Sequence, residues 1–468
     1  MQPAPTPSNQ KWFILLAIGI GTFMSALDGS VVNTILPVIR TSLNSDVSAI
    51  QWVVAIYLLT VSGLLLTVGR LGDLRGHRIV YLGGFLVFIL GSALCGMAQT
   101  AGQLVAFRVV QALGAAALQA SSPAILTRAF PSTQRGQALG IQATMTYLGL
   151  TVGPSLGGWL AQAASWRAVF YINVPVGLLA LALAYRFVPA DRRERGEERF
   201  DLAGALLFSA GLVSLLLGLN QGGNWGWASA PILGLLGGAA VLLFIFVRVE
   251  NRARWPMLDL SLFRNRTFTA AVISAVCNYM GMYVVLFLLP FYLIQARGLN
   301  SAQAGLLLTA QPVVMALVAP FSGTLSDRIG ARLPATLGMM IMAVGLFILS
   351  RLQPMTPTVA ISAALAVCGL GIGMFVSPNN SSLMGAAPRN RQGVAAGMLA
   401  MARNVGMVLG IGMSGAILTT ALAVDPQRGI FNAMTPGFLA GMGIALLAAL
   451  ASSLRQEQRD RQTIDKTA

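Results

Sequence analysis

Gly69-Arg70-Leu71-Gly72-Asp73-Leu74-Arg75-Gly76-His77-Arg78 is a short charged stretch between two long apolar runs, and its key residues recur 254 positions later. Gly69, Asp73, Gly76 and Arg78 are matched by Gly323, Asp327, Gly330 and Arg332. A second set follows at an offset of 257, pairing Gly136, Gly140, Gly149 and Gly153 with Gly393, Gly397, Gly406 and Gly410. With 51 glycines in the chain a single coincidence means little, but eight matches in order at two close offsets mark an internal duplication. The chain reads as two homologous halves.

What separates these motifs is membrane-like. Hydrophobic residues make up 56% of the 468, charged residues 10%, and the mean hydropathy is +0.72, which excludes an ordinary soluble protein. A span needs roughly 20 mostly apolar residues. Such stretches recur from Trp12 to Leu450 and read as fourteen helices, the first centred near Phe23 and the last near Gly443. Backbone groups in lipid have no water to bond, so spans this long are expected to be α-helical; a β-barrel would show short alternating segments. The two duplicated loops can share a side only if an even number of spans separates them, and eight do so in this reading. The surplus over a six-helix repeat falls between about Asp201 and Arg248 as a hairpin with an uncharged turn from Asn220 to Trp227. The expected organisation is a six-helix bundle over 1–190, an inserted two-helix hairpin with its linkers over 191–268, and a second six-helix bundle with a tail over 269–468. That is the parallel-repeat layout of rocking transporters.

The formal charge of +16 suggests nucleic acid at first sight, but the basic residues sort by side of the membrane. With the N-terminus inside, Arg40, Arg167, Arg297, Arg351 and Arg428 fall outside, Arg108 and Arg403 fall within spans, and all others are cytoplasmic. A basic inner face against anionic lipid explains the charge without nucleic acid. The polar, proline-rich stretch from Met1 to Gln10 shows no signal-peptide pattern, so the first span is expected to stay in the membrane. Cys95, Cys277 and Cys368 are isolated in apolar runs and read as buried small side chains rather than metal ligands.

Asp28 is the one acidic residue that falls inside a hydrophobic span. A charged aspartate at a helix centre costs about 2.5 to 3.5 kcal/mol on insertion scales, so this position is the first candidate for function. Arg108 and Gln111 are three residues apart in the fourth span and share a helix face, suited to presenting donors to the interior. Asn33 lies five residues from Asp28, about 140° around the helix.

At these motifs the chain resembles the major facilitator superfamily. The Gly69 to Arg78 loop is similar to its signature between the second and third helices, in which the aspartate can face a helix N-terminus or an arginine and latch two bundles. Leu104, Arg108, Gln111 and Gly114 resemble the fourth-helix signature of proton-coupled members, with Ala112 where a glycine is common. Gly149, Gly153, Pro154, Gly157 and Gly158 resemble the fifth-helix signature of its antiporters, in which the glycines form a smooth ridge. Leu27 through Pro37, Trp166-Arg167 through Asn173-Val174-Pro175, and Phe200-Asp201 are similar to the fourteen-helix drug:proton antiporter branch.

The resemblance implies a proton-driven exporter of lipophilic or amphipathic small molecules, many of them cationic. It implies no enzymatic activity, no cofactor, and a multi-pass position in the bacterial cytoplasmic membrane with both termini inside. Asp28 and Arg108 become the expected proton-coupling pair. The loop residues Gly69, Asp73, Gly76, Arg78, Gly323, Asp327 and Arg332, the ridge Gly149, Gly153, Pro154 and Gly157, and the embedded Arg403 become gating candidates; anion binding is the other role open to Arg403. Asp28, Asn33, Gln111, Met145, Asn278, Tyr279, Met282, Tyr283 and Gln311 are candidate substrate contacts, the aromatic and Met positions among them being equally compatible with plain packing. No Gly-x-x-x-x-Gly-Lys-Ser/Thr pattern is present, which argues against ATP hydrolysis by this chain. Two other functions stay open: an exporter of one endogenous metabolite, and a membrane scaffold or sensor that transports nothing. The partners expected are the substrate, protons and lipid, with a monomeric protein and no nucleic acid.

Overall fold

Long apolar runs with few β-branched stretches give helix throughout, and in this computed structural model the described residues are 10–45, 47–191, 200–299, 301–424 and 429–455, with no strand among them. In order the helices are α1 (Gln10–Ser42), α2 (Val47–Arg75), α3 (His77–Met97), α4 (Ala101–Ala129), α5 (Arg135–Ala163), α6 (Ala168–Tyr171), α7 (Asn173–Phe187), α8 (Leu202–Trp225), α9 (Ala230–Glu250), α10 (Arg266–Pro290), α11 (Ser301–Leu308), α12 (Ala310–Ile329), α13 (Arg332–Ser350), α14 (Thr358–Ala386), α15 (Gln392–Val424) and α16 (Gly429–Ser453). The expected sixth span comprises α6 and α7 and the tenth α11 and α12; Ile172 and Thr309 at the joins keep right-handed helical φ and ψ, and each span runs on as one apolar stretch. Among the described residues, thirteen helical stretches are long and apolar enough to cross a membrane. The glycine-, glutamine- and threonine-rich α5 is not among them, although its 29 residues would reach about 43 Å.

The chain divides into two compact units. The first comprises 1–213, 239–260 and 387–400; the second comprises 214–238, 261–386 and 401–468. In the first, α1 lies along α5 and α7, while α4 packs on both α2 and α3. In the second, α14 packs on α12 and α13, and α16 on α10 and α13.

Glycine contacts show that the duplication in the sequence is a duplication in space. A methyl group at Gly149 would meet Phe23 O, Ala26 Cβ and Leu27 N; at Gly406 it would meet Val276 O, Tyr279 Cβ and Met280 N. The same holds for α3 on α4 and α13 on α14: Gly84 lies against Gly114 O and Leu118 N, and Gly338 against Gly371 O and Phe375 N. Gly76 and Gly330, paired at the 254 offset, both adopt positive φ, 101° and 90°, a conformation that any side chain would strain. Lipid offers no hydrophobic drive between helices, so such close backbone approach supplies the dispersion contact that holds each unit together.

The ridge on α5 faces α1 on either side of Asp28. A Cβ at Gly153 would lie 1.9 Å from Ser30 Oγ and 3.2 Å from Val31 N, and one at Gly157 would lie 2.4 Å from Val31 Cγ2. Ser30 Oγ donates to the Gly149 carbonyl at 3.2 Å, tying the two helices at the ridge. Gly153→Leu is therefore expected to force α1 and α5 apart, cost about 1 to 3 kcal/mol as overpacking does, and uncouple or stall transport. Thermal unfolding in detergent alongside transport in proteoliposomes would check this; wild-type behaviour in both would make the ridge a loose contact.

Candidate functional site

A carboxylate inside a helix bundle must collect donors, and Asp28 on α1 collects three. Arg108 Nη1 donates to its Oδ2 at 2.7 Å, while Gln111 Nε2 and Asn173 Nδ2 each donate to Oδ1 at 2.9 Å. Asp28 is 0% and Arg108 1% exposed, so the pair is shielded from bulk water on all sides. The three-residue spacing on α4 works as expected: Arg108 and Gln111 turn the same way, and Arg108 Nη1 also donates to Gln111 Oε1 at 2.6 Å. Arg108 thus points inward to Asp28 and not towards an interface.

The guanidinium has further contacts. Arg108 Nε donates to the Val53 carbonyl on α2 at 3.2 Å, and its Cζ lies 4.0 Å from the Tyr57 ring centroid, a cation–π contact. Gln111 Nε2 donates to Ser92 Oγ at 2.7 Å, and Cys95 Sγ to Gln111 Oε1 at 3.8 Å. Cys95 is thus a weak donor in the network as well as a packing residue. An apolar cluster that includes Val31, Ile35, Val53, Val169 and Phe170 adjoins these groups. Trp166 Nε1 donates to Ser42 Oγ at 3.0 Å and Arg167 to the Ala98 carbonyl at 3.0 Å, fixing the segment that carries α6. Asn173, Ser92 and Tyr57 were not among the sequence candidates. Asn173 had a signal, its place in the Trp166-to-Pro175 motif, but nothing local aimed it at Asp28.

The register equivalences show what the duplication did here. Asp28 follows Leu27 as Gly281 follows Met280, and the offset of 257 on α4 puts Leu365 and Cys368 where Arg108 and Gln111 stand. Ser92 corresponds to Leu346. All four counterparts are buried. The polar centre was built, or kept, in one unit alone.

Asp73, at the end of α2, is the second organised carboxylate. Its side chain is fully buried and accepts the backbone N–H of Gly393 at 2.8 Å and of Val394 at 3.0 Å, at the N-terminus of α15. His77 Nε2 lies 3.1 Å and Arg128 3.9 Å from the same carboxylate. Gly69 and Gly393 cross so closely that a Cβ on either would sit 2.2 or 2.1 Å from the other's carbonyl oxygen. This is a negative charge on a helix N-terminus, contributed across 320 residues of sequence. Arg78 donates its backbone N–H to Asp191 at 2.8 Å, and Asp191 also receives Arg128 at 3.0 Å. On the repeated loop, Gly323 is buried, Asp327 half-buried and Arg332 exposed.

The expected pocket residues fall in different places. Met145 lies against Gly19 of α1, its Cγ 3.3 Å from where a Cβ would be. In the second unit, Arg403 on α15 is within electrostatic reach of the half-buried Tyr279 and Tyr283 on α10. Met282 is half-buried beside them. Asn278 is fully buried with neither amide atom hydrogen-bonded, and Gln311, whose backbone abuts Gly369, has an unbonded Nε2. The side chains of Asn33 and Pro154 lie outside the described residues. Sequence reasoning also missed Arg455, just past α16. It is buried, donates to Asn379 Oδ1 and to Ser452 Oγ, and burial pushes its guanidinium down to about 9.

The model of the Major Facilitator Superfamily matches residues 18–411 and 271–465. The chain belongs to this superfamily. Among its relatives is the riboflavin transporter RibZ of Clostridioides difficile, 36% identical over 420 residues that cover 90% of this chain and 91% of that one. The multidrug resistance protein Stp of Mycobacterium tuberculosis is 35% identical over 410 residues, 87% of this chain and 76% of that one. The human organic anion transporter MFSD10 (TETRAN) has the same fold: its crystal structure aligns with a TM-score of 0.66 at 14% identity, over 94% of this chain and 100% of that one. Superfamily membership makes this a multi-pass membrane transporter, and the buried Asp28 cluster is a polar feature of its first unit that packing alone does not explain.

Removing one partner of a buried ion pair strands the other, at a typical cost of 3 to 5 kcal/mol. Arg108→Leu should therefore lower thermal stability markedly. The double variant Asp28→Asn with Arg108→Leu should lose less than the sum of the singles, because no charge is left without its counterpart. Melting curves of the four proteins of this cycle measure the coupling, and simple additivity would mean that the pair does not interact in the folded protein.

Proposed function

We propose that this transporter is a proton-coupled antiporter that exports lipophilic or amphipathic small molecules, monovalent organic cations among them, by alternating access. The observation that carries the reading is the Asp28 carboxylate, wholly buried and held by Arg108, Gln111 and Asn173. A carboxylate so placed can discharge only by taking a proton, and it exchanges with water only when the bundle opens. Proton binding and opening are then linked steps, which is what coupling requires. In this reading α5 is the fourteenth span, both termini lie in the cytoplasm of a bacterial cell, and the proton gradient is the energy source. Asn278 and Gln311, buried amides with unmade hydrogen bonds, are the groups with most to gain from a polar ligand atom. Relatives named for multidrug resistance support breadth of substrate. A second reading, export of one endogenous metabolite, draws on the similarity to RibZ. A screen of solutes for proton release from proteoliposomes separates the two by the number that respond.

Asp28→Asn leaves Arg108 its bonds to Val53 and Gln111 and should insert and fold, yet lose uphill transport entirely. Normal uphill efflux by the purified variant would remove Asp28 from the mechanism. With one embedded carboxylate, exchange of a proton for a monovalent cation moves no net charge. Transport should then respond to a pH gradient and hardly to a valinomycin-set potential, whereas each uncompensated charge would gain about 2.3 kcal/mol per 100 mV.

The Asp73 contact with the start of α15 is read as a latch of one conformational state. Asp73→Asn removes the negative charge that faces the helix terminus and keeps the side chain's size. It should shift cysteine accessibility towards the inward-open pattern and leave substrate affinity nearly unchanged; an unaltered accessibility pattern would make the loop passive.

A further inference from the structure

Asp28 as a proton carrier must be stable in two forms, and its surroundings are built almost wholly for one. An ionised carboxylate wants donors, and it has three. A carboxylic acid carries an O–H of its own and needs an acceptor, or the cluster is left with two hydrogens facing each other. Arg108 cannot supply one, since a guanidinium has donors only. Gln111 has an oxygen, but it already accepts from Arg108 Nη1 at 2.6 Å and Cys95 Sγ at 3.8 Å, while its nitrogen also donates to Ser92 at 2.7 Å. Turning that amide would break each of these bonds.

Asn173 is differently placed. It is 1% exposed at the first position of α7, and its one side-chain hydrogen bond is the 2.9 Å bond to Asp28 Oδ1. Among the described residues no group donates to its carbonyl oxygen. A half-turn about the terminal torsion exchanges nitrogen and oxygen in the same space and would present that oxygen to Asp28 at no cost to another bond; such torsions are broad and two-fold. The titratable groups facing Asp28 are Arg108 from α4, which carries Tyr57 of α2 against its far face, and Cys95 from α3. From α5 come the ridge glycines, and from α7 Asn173 itself.

We propose that Asn173 is a positioning residue that follows the proton: its amide donates to ionised Asp28 and turns over to accept the O–H of protonated Asp28. One O–H bond forms at Asp28 and no proton leaves the amide, so the step needs no further reactant. The inference rests on the reading of Asp28 as the proton carrier. It gives the Trp166-to-Pro175 motif a function, since Asn173 lies within it and the segment is fixed by Trp166 on Ser42 and by Arg167 on the Ala98 carbonyl.

Infrared difference spectroscopy of the full-length protein in lipid, between acid and alkaline buffer, reads both events. Protonation of Asp28 gives a carboxylic C=O band that is absent in Asp28→Asn. The proposal expects a side-chain amide carbonyl band in the same spectrum that shifts when asparagine is labelled with carbon-13 at the amide and vanishes in Asn173→Ser. In transport, Asn173→Leu can neither donate nor accept and should slow uphill efflux by roughly tenfold or more, the worth of one hydrogen bond to a buried charged group. Asn173→Ser keeps a hydroxyl able to do both and should recover most of that loss. An Asp28 band with no label-sensitive amide partner would overturn the proposal and leave Asp28 as carrier. Equal loss in the Ser and Leu variants, both folded by their melting curves, would also overturn it by reducing Asn173 to packing. The absence of any Asp28-dependent band would instead remove the proton-carrier reading on which it stands.

Discussion

One buried ion pair governs the first unit. A carboxylate and a guanidinium taken out of water each lose several kcal/mol of solvation, and their attraction offsets this only if the remaining lone pairs and hydrogens are also satisfied. The chain works towards that condition with side chains from α1, α3, α4 and α7 and a backbone carbonyl from α2. Moving α1, α2, α4 or α7 breaks a bond to a charge, and moving α3 breaks one to Gln111. The cluster therefore acts as a lock on helix positions as much as a store for a proton, and the two roles are the same electrostatic fact.

Close glycine contact is the complementary constraint. A charge network tolerates only tenths of an ångström of slack, and lipid gives helices no solvent-driven reason to stay together. The ridge on α5 supplies the missing contact at the level of Asp28, with Gly149 and Gly153 against Phe23 to Val31. Its counterpart on α15 packs on α10 in the same register, with Gly281 where Asp28 would stand. Gly281, Leu365, Cys368 and Leu346 fill the equivalent of the polar centre, so the duplicated scaffold persists where the chemistry does not. Packing and function are thereby separable within one chain.

Much of this was legible from one dimension because the membrane imposes one-dimensional rules. Length and hydropathy mark spans, an embedded acid stands out by its cost, and repeated glycines keep their spacing because helix contact repeats. The pairing of Arg108 with Gln111 followed from helical periodicity alone. What the sixth span presents to Asp28 was not legible, since no apolar pattern aims Asn173 at it. The candidate pocket was read from residue type, and type does not say direction: Asn278 turned inward to full burial while its neighbour Tyr279 lies by Arg403.

The sequence by itself determined a helical membrane protein with an internal duplication, one acidic residue in the apolar core, and an arginine and a glutamine on one face three residues apart. Only the tertiary structure decided who meets Asp28. Arg108 is 80 residues away along the chain and Asn173 is 145, separations over which no local periodicity carries information. Those partners are chosen by how α4 and α7 pack against α1 and by how closely α5 lets α1 approach. Both are consequences of packing all the helices at once, and so are absent from any single stretch of residues.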